Sequence, residues 1–121
     1  MNYYAKALEI IEQRGWASGR IGEGPKEPTC AGGALAEAIT GDPENIYATH
    51  NDPIFEEMKP HFIRLLDHAW PEWRERFAGQ FAWASPEDVC LMAGYRWNDI
   101  RGEDVVKQDL RELAELAEAT D

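Results

Sequence analysis

Cys30 is the side chain whose type and position come closest to a nucleophile. It lies at the start of Thr29-Cys30-Ala31-Gly32-Gly33-Ala34-Leu35-Ala36-Glu37-Ala38-Ile39, a run that reads as a short helix. The free N–H groups and dipole of a helix N-terminus can lower a thiol pKa. His50, His61 and His68 are the candidate bases, but no spacing in the chain brings any of them to Cys30. A small buried residue is the commoner role for such a cysteine. Glu57, His61 and His68 share one face of a helix, yet the two histidines stand two turns apart, about 10 Å along the axis. No further Cys, His or carboxylate stands at ligand spacing, so no metal and no cofactor are expected. Gly19, Gly22 and Gly24 have the look of a phosphate loop, but no strand precedes them and no Gly-Lys-Ser/Thr follows. No catalytic residue is assigned.

A different chemistry, that of binding, is concentrated in the middle of the chain. Trp70, Trp73, Phe77, Phe81 and Trp83 lie close together, with Arg74 and Arg76 among them. Trp73 and Phe77 are one helical turn apart, with Trp70 nearly on the same face. Trp and Arg dominate binding hot spots because each combines a large contact area with a polar handle. Trp70, Trp73, Arg74, Phe77 and Trp83 are therefore the expected partner-binding residues, part of them exposed for a protein partner or a second copy of the chain.

The elements that must position these residues are helical. Tyr4, Ala7, Leu8 and Ile11 give a helix over about Tyr3–Arg14 its buried stripe, and Gly15 is its expected stop. Trp16 is expected to fold back over the end of this helix. Ala17 to Pro28 reads as a glycine-rich loop. The 29–39 run, capped by Thr29, is expected to be a central post. Adjacent glycines each cost a helix about 1 kcal/mol, which close approach of a ring or another helix would repay. Asp52-Pro53 starts the next helix, which carries Ile54, Phe55, Met58, Phe62, Leu65, Leu66 and Ala69. Pro60 is expected to kink or split it, and Pro71 to end it, with a short turn or helix over Pro71–Phe77. Ser85 and Asp88 form a capping-box signal for a helix that Gly94 should stop. Tyr95–Asp99 then reads as a turn, with Trp97 against the glycine face of the central helix and Asn98 and Asp99 accepting from Arg101. A last helix over about Glu103–Ala119 has the core stripe Val106, Leu110, Leu113 and Ala117, with Glu103–Lys107 and Arg111–Glu115 as i,i+4 pairs. The expected fold is all-α, one domain of five or six helices spanning 1–121.

The net charge of −11 argues against direct nucleic-acid binding, whose footprint is basic. The acids collect late: residues 85–121 hold ten against four bases, whereas residues 61–84 balance at zero. The last helix could imitate a nucleic acid toward a nucleic-acid-binding protein, although acids on an outer face also simply confer solubility. No apolar run reaches the length of a membrane span, no secretory signal is apparent, and two cysteines are too few for a disulfide framework. A cytoplasmic setting is expected.

Gly15-Trp16, Cys30 with Gly33-Ala34-Leu35 and Ala38, and Trp97-Asn98-Asp99 with Arg101 and Val105-Val106 occur in an order and spacing that resembles an uncharacterised family of small proteins from actinobacteria and their phages. The resemblance leaves out residues 42–84 and carries no activity or site residues. It implies a host cytoplasm as setting. Together these readings favour a non-enzymatic protein-binding module, a phage accessory protein acting on a host component. The alternatives are an acidic nucleic-acid mimic and a small enzyme using Cys30.

Overall fold

The structure, a computed structural model, describes residues 1–19, 27–80 and 84–120. Among them are six α-helices: α1 (Tyr3–Arg14), α2 (Ala31–Thr40), α3 (Pro53–Ala69), α4 (Trp73–Phe77), α5 (Cys90–Arg101) and α6 (Glu103–Thr120). Two short 3-10 turns, Pro43–Tyr47 and Pro86–Val89, precede α3 and α5. The only extended pairing among the described residues is one parallel bridge between Trp16 and Thr29. The fold is all-α, as the helical periodicities require. None of the described helices is long and apolar enough to cross a membrane.

Helix α2 is the post around which the others stand. Ala31 through Ala36 are all buried, and α2 touches α1, α3, α5 and the first 3-10 turn. A β-carbon on Gly32 would lie 3.4 Å from the backbone nitrogen of Tyr95 on α5 and 3.2 Å from Ile46 Cδ1. At Gly32 the close approach expected of the glycines is to the backbone of α5 and the tip of Ile46. The cap is also one residue later than expected. Cys30 takes the N-cap position, its Sγ accepting from Gly33 N–H at 3.2 Å. Thr29 is fully buried, and its backbone holds the 15–17 segment through N–H to Gly15 O at 3.0 Å and O from Ala17 N–H at 3.1 Å.

Helix α3 passes through Pro60 as one element of 17 residues. Pro60 and Glu56, whose carbonyl loses its N–H partner, both face solvent, so water can serve that carbonyl. Phe55, Met58, Phe62, Leu65 and Leu66 are buried on the other side. At roughly 1.5–3 kcal/mol each, their burial outweighs the approximately 3 kcal/mol of an interior proline.

Helix α5 departs most from the sequence pattern. Asp88 Oδ2 does accept from the Ser85 backbone N–H at 3.3 Å, completing the capping box. The helix then continues through Gly94 and through Trp97-Asn98-Asp99, and ends at Gly102 with φ +84°. Gly94 is not a stop. A β-carbon there would sit 2.8 Å from two ring carbons of Phe62, so this glycine is where α5 meets α3. Core positions Val106, Leu110, Leu113 and Ala117 fasten α6 as expected. Glu103 pairs with Lys107 at 2.7 Å, but Arg111 reaches across to Glu12 on α1 at 3.7 Å, not along its own helix to Glu115.

Candidate functional site

The aromatic stretch closes inward. Trp70, Trp73 and Phe77 are 6%, 0% and 3% exposed. Trp70 and Phe77 meet edge to face at 5.9 Å, and Trp73 donates its indole N–H to Asp67 Oδ1 at 2.9 Å. Arg74 lies over the Trp73 ring at 4.7 Å and bonds both Glu87, at 2.7 Å, and Asp67. Burial alone pulls the Asp67 carboxyl upward, but the bonds from Arg74 and Trp73 outweigh it and hold it below its ordinary value. Expected as partner anchors, these three rings instead build core, because the reversal after α3 folds short α4 back onto the second 3-10 turn. Phe81 and Trp83 lie outside the described residues, as do residues 20–26 of the glycine-rich loop.

Trp16 and Ala17, Ala31 and Asp99 converge on Asn98, which is fully buried. Its Oδ1 accepts from Trp16 Nε1–H at 2.7 Å and from Ala31 N–H at 2.8 Å. Its Nδ2 donates to Ala17 O at 3.2 Å and to Asp99 Oδ1 at 3.1 Å. Asp99 in turn accepts from Ser18 Oγ at 3.1 Å and Gly19 N–H at 2.9 Å. Trp16 therefore reaches α5 through its indole N–H. Asn98 and Asp99 are helical residues that hold the 16–19 segment and the start of α2, and neither is bonded to Arg101. Cys30 sits beside this network but is only 2% exposed. Burial raises its thiol pKa, more than the Gly33 N–H bond lowers it. Two of the three candidate bases are engaged elsewhere: His61 stacks edge-on against Tyr3 at 4.7 Å, and His68 Nε2 lies 2.8 Å from Glu112 Oε1. Burial thus disfavours the thiolate at Cys30.

Comparison with protein-family models, curated proteins and solved structures found no match. The site must therefore be read from the surface itself. A cavity of about 150 Å³ between the first 3-10 turn and α5, edged by Tyr47, His50 and Tyr95, is smaller than the roughly 300–1,000 Å³ of small-molecule pockets. The seam between α1 and α6 is more distinctive. Ala5, Leu8, Glu9 and Glu12 on α1, and Arg111, Ala114, Glu115 and Glu118 on α6, line an open groove of about 290 Å³. Each set is spaced i, i+3, i+4, i+7, the arrangement that puts four residues on one helix face. Ala5, Leu8 and Ala114 make an apolar floor, while four carboxylates and one guanidinium form the rim, all five exposed. Asn2 helps fix the seam, donating through Nδ2 to Ala114 O at 2.8 Å and accepting Ala5 N–H at 3.1 Å.

The other face of α6 carries a second cluster. His68 of α3 and Asp109 and Glu112 of α6 each place one potential ligand atom within 4.8 Å of the other two. Burial raises the Asp109 carboxyl, against a 3.1 Å bond from Trp97 Nε1–H. The bond to His68 holds Glu112 low. Sequence reading missed this group because it sought partners of His68 near in sequence. The signal available was Asp109 itself, an acid three residues from Val106 and four from Leu113, at the edge of a core stripe.

Proposed function

We propose that this chain is a non-enzymatic protein-binding module whose contact face is the α1/α6 groove, and that its partner presents a basic, amphipathic segment. The observation that carries this is the pairing of an apolar floor with a rim of Glu9, Glu12, Glu115 and Glu118 against Arg111 alone. A lysine or arginine suits both parts, its aliphatic stem lying on Ala5, Leu8 and Ala114 and its head among the carboxylates. The net charge of −11 would steer such a partner from a distance and repel acidic competitors. The resemblance described above directs the search to actinobacterial host proteins.

The test is affinity capture from actinobacterial lysate, followed by titration of the purified partner against the parent and Glu115→Lys/Glu118→Lys. Both positions are exposed and neither is in an ion pair among the described residues, so the fold should tolerate the reversal. The expected result is a basic partner whose affinity drops at least about tenfold, with weakening in salt. A partner bound equally well by the reversed variant would refute the groove. A partner that DNA displaces would identify the acidic face as a stand-in for phosphates.

A further inference from the structure

We propose that His68, Asp109 and Glu112 form a binding site for a divalent first-row transition-metal ion, Zn2+ being the best match, between α3 and α6. The site is independent of the α1/α6 groove, which lies on the other side of α6.

The donor set is one imidazole and two carboxylates, a combination suited to Zn2+, Mn2+ or Fe2+. An imidazole disfavours Mg2+ and Ca2+, which take oxygen ligands. Asp109 and Glu112 stand i,i+3 on α6 and so project together, and His68 meets them from the last turn of α3. With metal–ligand bonds of about 2.0–2.2 Å, ligand atoms in a tetrahedral site lie roughly 3.4 Å apart. The three atoms already lie within 4.8 Å of one another, so small rotations of three side chains would close the site.

Two further contacts distinguish this group from a surface ion pair. Trp97, fully buried on α5, donates its N–H to Asp109 Oδ2 at 3.1 Å, and Gln108 donates to Glu112 Oε2 at 3.2 Å. Asp109 is therefore held from behind through Oδ2 and keeps Oδ1 to face an ion, while Glu112 is held through Oε2 and turns Oε1 to His68 Nε2 at 2.8 Å; outer groups orient metal ligands in this way. A His68–Glu112 bond explains those two residues but not Asp109. Asp109 is only partly exposed and has no ion-pair partner among the described residues. Its one hydrogen bond comes from an indole. The nearby Arg101 is directed to Glu72, at 3.7 Å. A cation bridging Asp109 to His68 and Glu112 supplies the missing partner. Three protein ligands leave at least one coordination position for water.

The test uses tag-free full-length chain stripped with EDTA and titrated with Zn2+, and with Co2+ for its visible absorption, with Mg2+ as control. Saturable Zn2+ and Co2+ binding at one equivalent is expected, with a raised melting temperature and no response to Mg2+. His68→Ala and Asp109→Asn should each weaken binding by at least about a hundredfold, and Trp97→Phe, which removes the orienting N–H together with part of a buried ring, by a smaller factor of roughly ten. Melting curves in EDTA identify any variant that fails to fold. His68→Ala, at a partly exposed position, keeps the test decisive if Asp109→Asn or Trp97→Phe does. Absence of binding at millimolar Zn2+, or binding that His68→Ala leaves unchanged, would overturn the proposal.

Discussion

The contact between Gly94 and Phe62 can be tested by adding a single methyl group. In Gly94→Ala the new carbon would start 2.8 Å from Cδ1 and Cε1 of a ring that is 0% exposed. Phe62 cannot rotate away into solvent, and α5 can retreat only by loosening its contacts with α3. Overpacking of this kind costs about 1–3 kcal/mol. A 2.8 Å approach to a ring that cannot move aside belongs in the upper part of that range, about 2–3 kcal/mol, and alanine regains about 1 kcal/mol of helix propensity over glycine, so the net loss should be about 1–2 kcal/mol. For a domain of this size that lowers the melting temperature by roughly 3–10 °C. Circular dichroism melts and urea denaturation should be run on Gly94→Ala, Phe62→Leu and the double variant. Phe62→Leu shortens and reshapes the obstructing side chain, so the double variant should be more stable than the sum of the two single losses, with a coupling of about 0.5–3 kcal/mol. A Gly94→Ala protein as stable as the parent, or losses that simply add, would refute the close contact. Gly32→Ala supplies a milder comparison, because its tightest neighbour at 3.2 Å is the movable tip of Ile46.

Asn98→Ala should leave the Ala31 and Trp16 N–H groups without an acceptor. At about 1–3 kcal/mol for each unpaired group, a loss of roughly 2–5 kcal/mol is expected in urea titrations, and a loss under about 1 kcal/mol would show the hub to be dispensable. Arg74→Met tests the ion network on α4. Bonds to Arg74 hold Asp67 and Glu87 below their ordinary values of 3.8 and 4.5, so their contribution is complete above that range and is lost as pH falls through the lowered values. Asp67 is exposed and Glu87 partly so, so after solvent screening the variant should be about 1 kcal/mol less stable at neutral pH. The gap should narrow below pH 4.5 and close in stronger acid; a gap independent of pH would assign the effect to packing on Trp73 instead.

The long amphipathic helices were legible because each has a single buried face. Tyr4, Ala7 and Ile11, then Phe55 to Leu66, then Val106 to Ala117, repeat at helical spacing and bury as that spacing requires. Helix α5 was not legible because its buried face, Cys90, Leu91, Ala93, Gly94, Trp97 and Asn98, contains a glycine and an asparagine, which break the apolar pattern that marks a buried stripe. Gly94 and Asn98 looked like a stop and a turn because their local preferences point that way, and tertiary contacts override them. The fate of three rings in the aromatic stretch was open for a related reason. Composition marks Trp70, Trp73 and Phe77 as large and sticky, but only the chain reversal decides whether those rings meet a partner or the core. Of the candidate sites, the acids of α6 were visible in the sequence. Their division into one face toward α1 and another toward His68 depends on the neighbours of α6, which no local pattern encodes.

The glycine on α5 also has a mechanical consequence. Switching proteins often work by sliding one helix past another by a full turn, about 5.4 Å. Such a slide of α5 would bring Cys90 or Asn98 to the place that Gly94 occupies against Phe62, where a single added carbon is already too close. Gly94 acts as an indexing notch with one position, and Gly32 of α2 sits close on the α5 backbone at the next residue, Tyr95. The polar tether from Asn98 to Trp16 and Ala31 would be severed by the same displacement. Helix α5 is therefore a fixed axle.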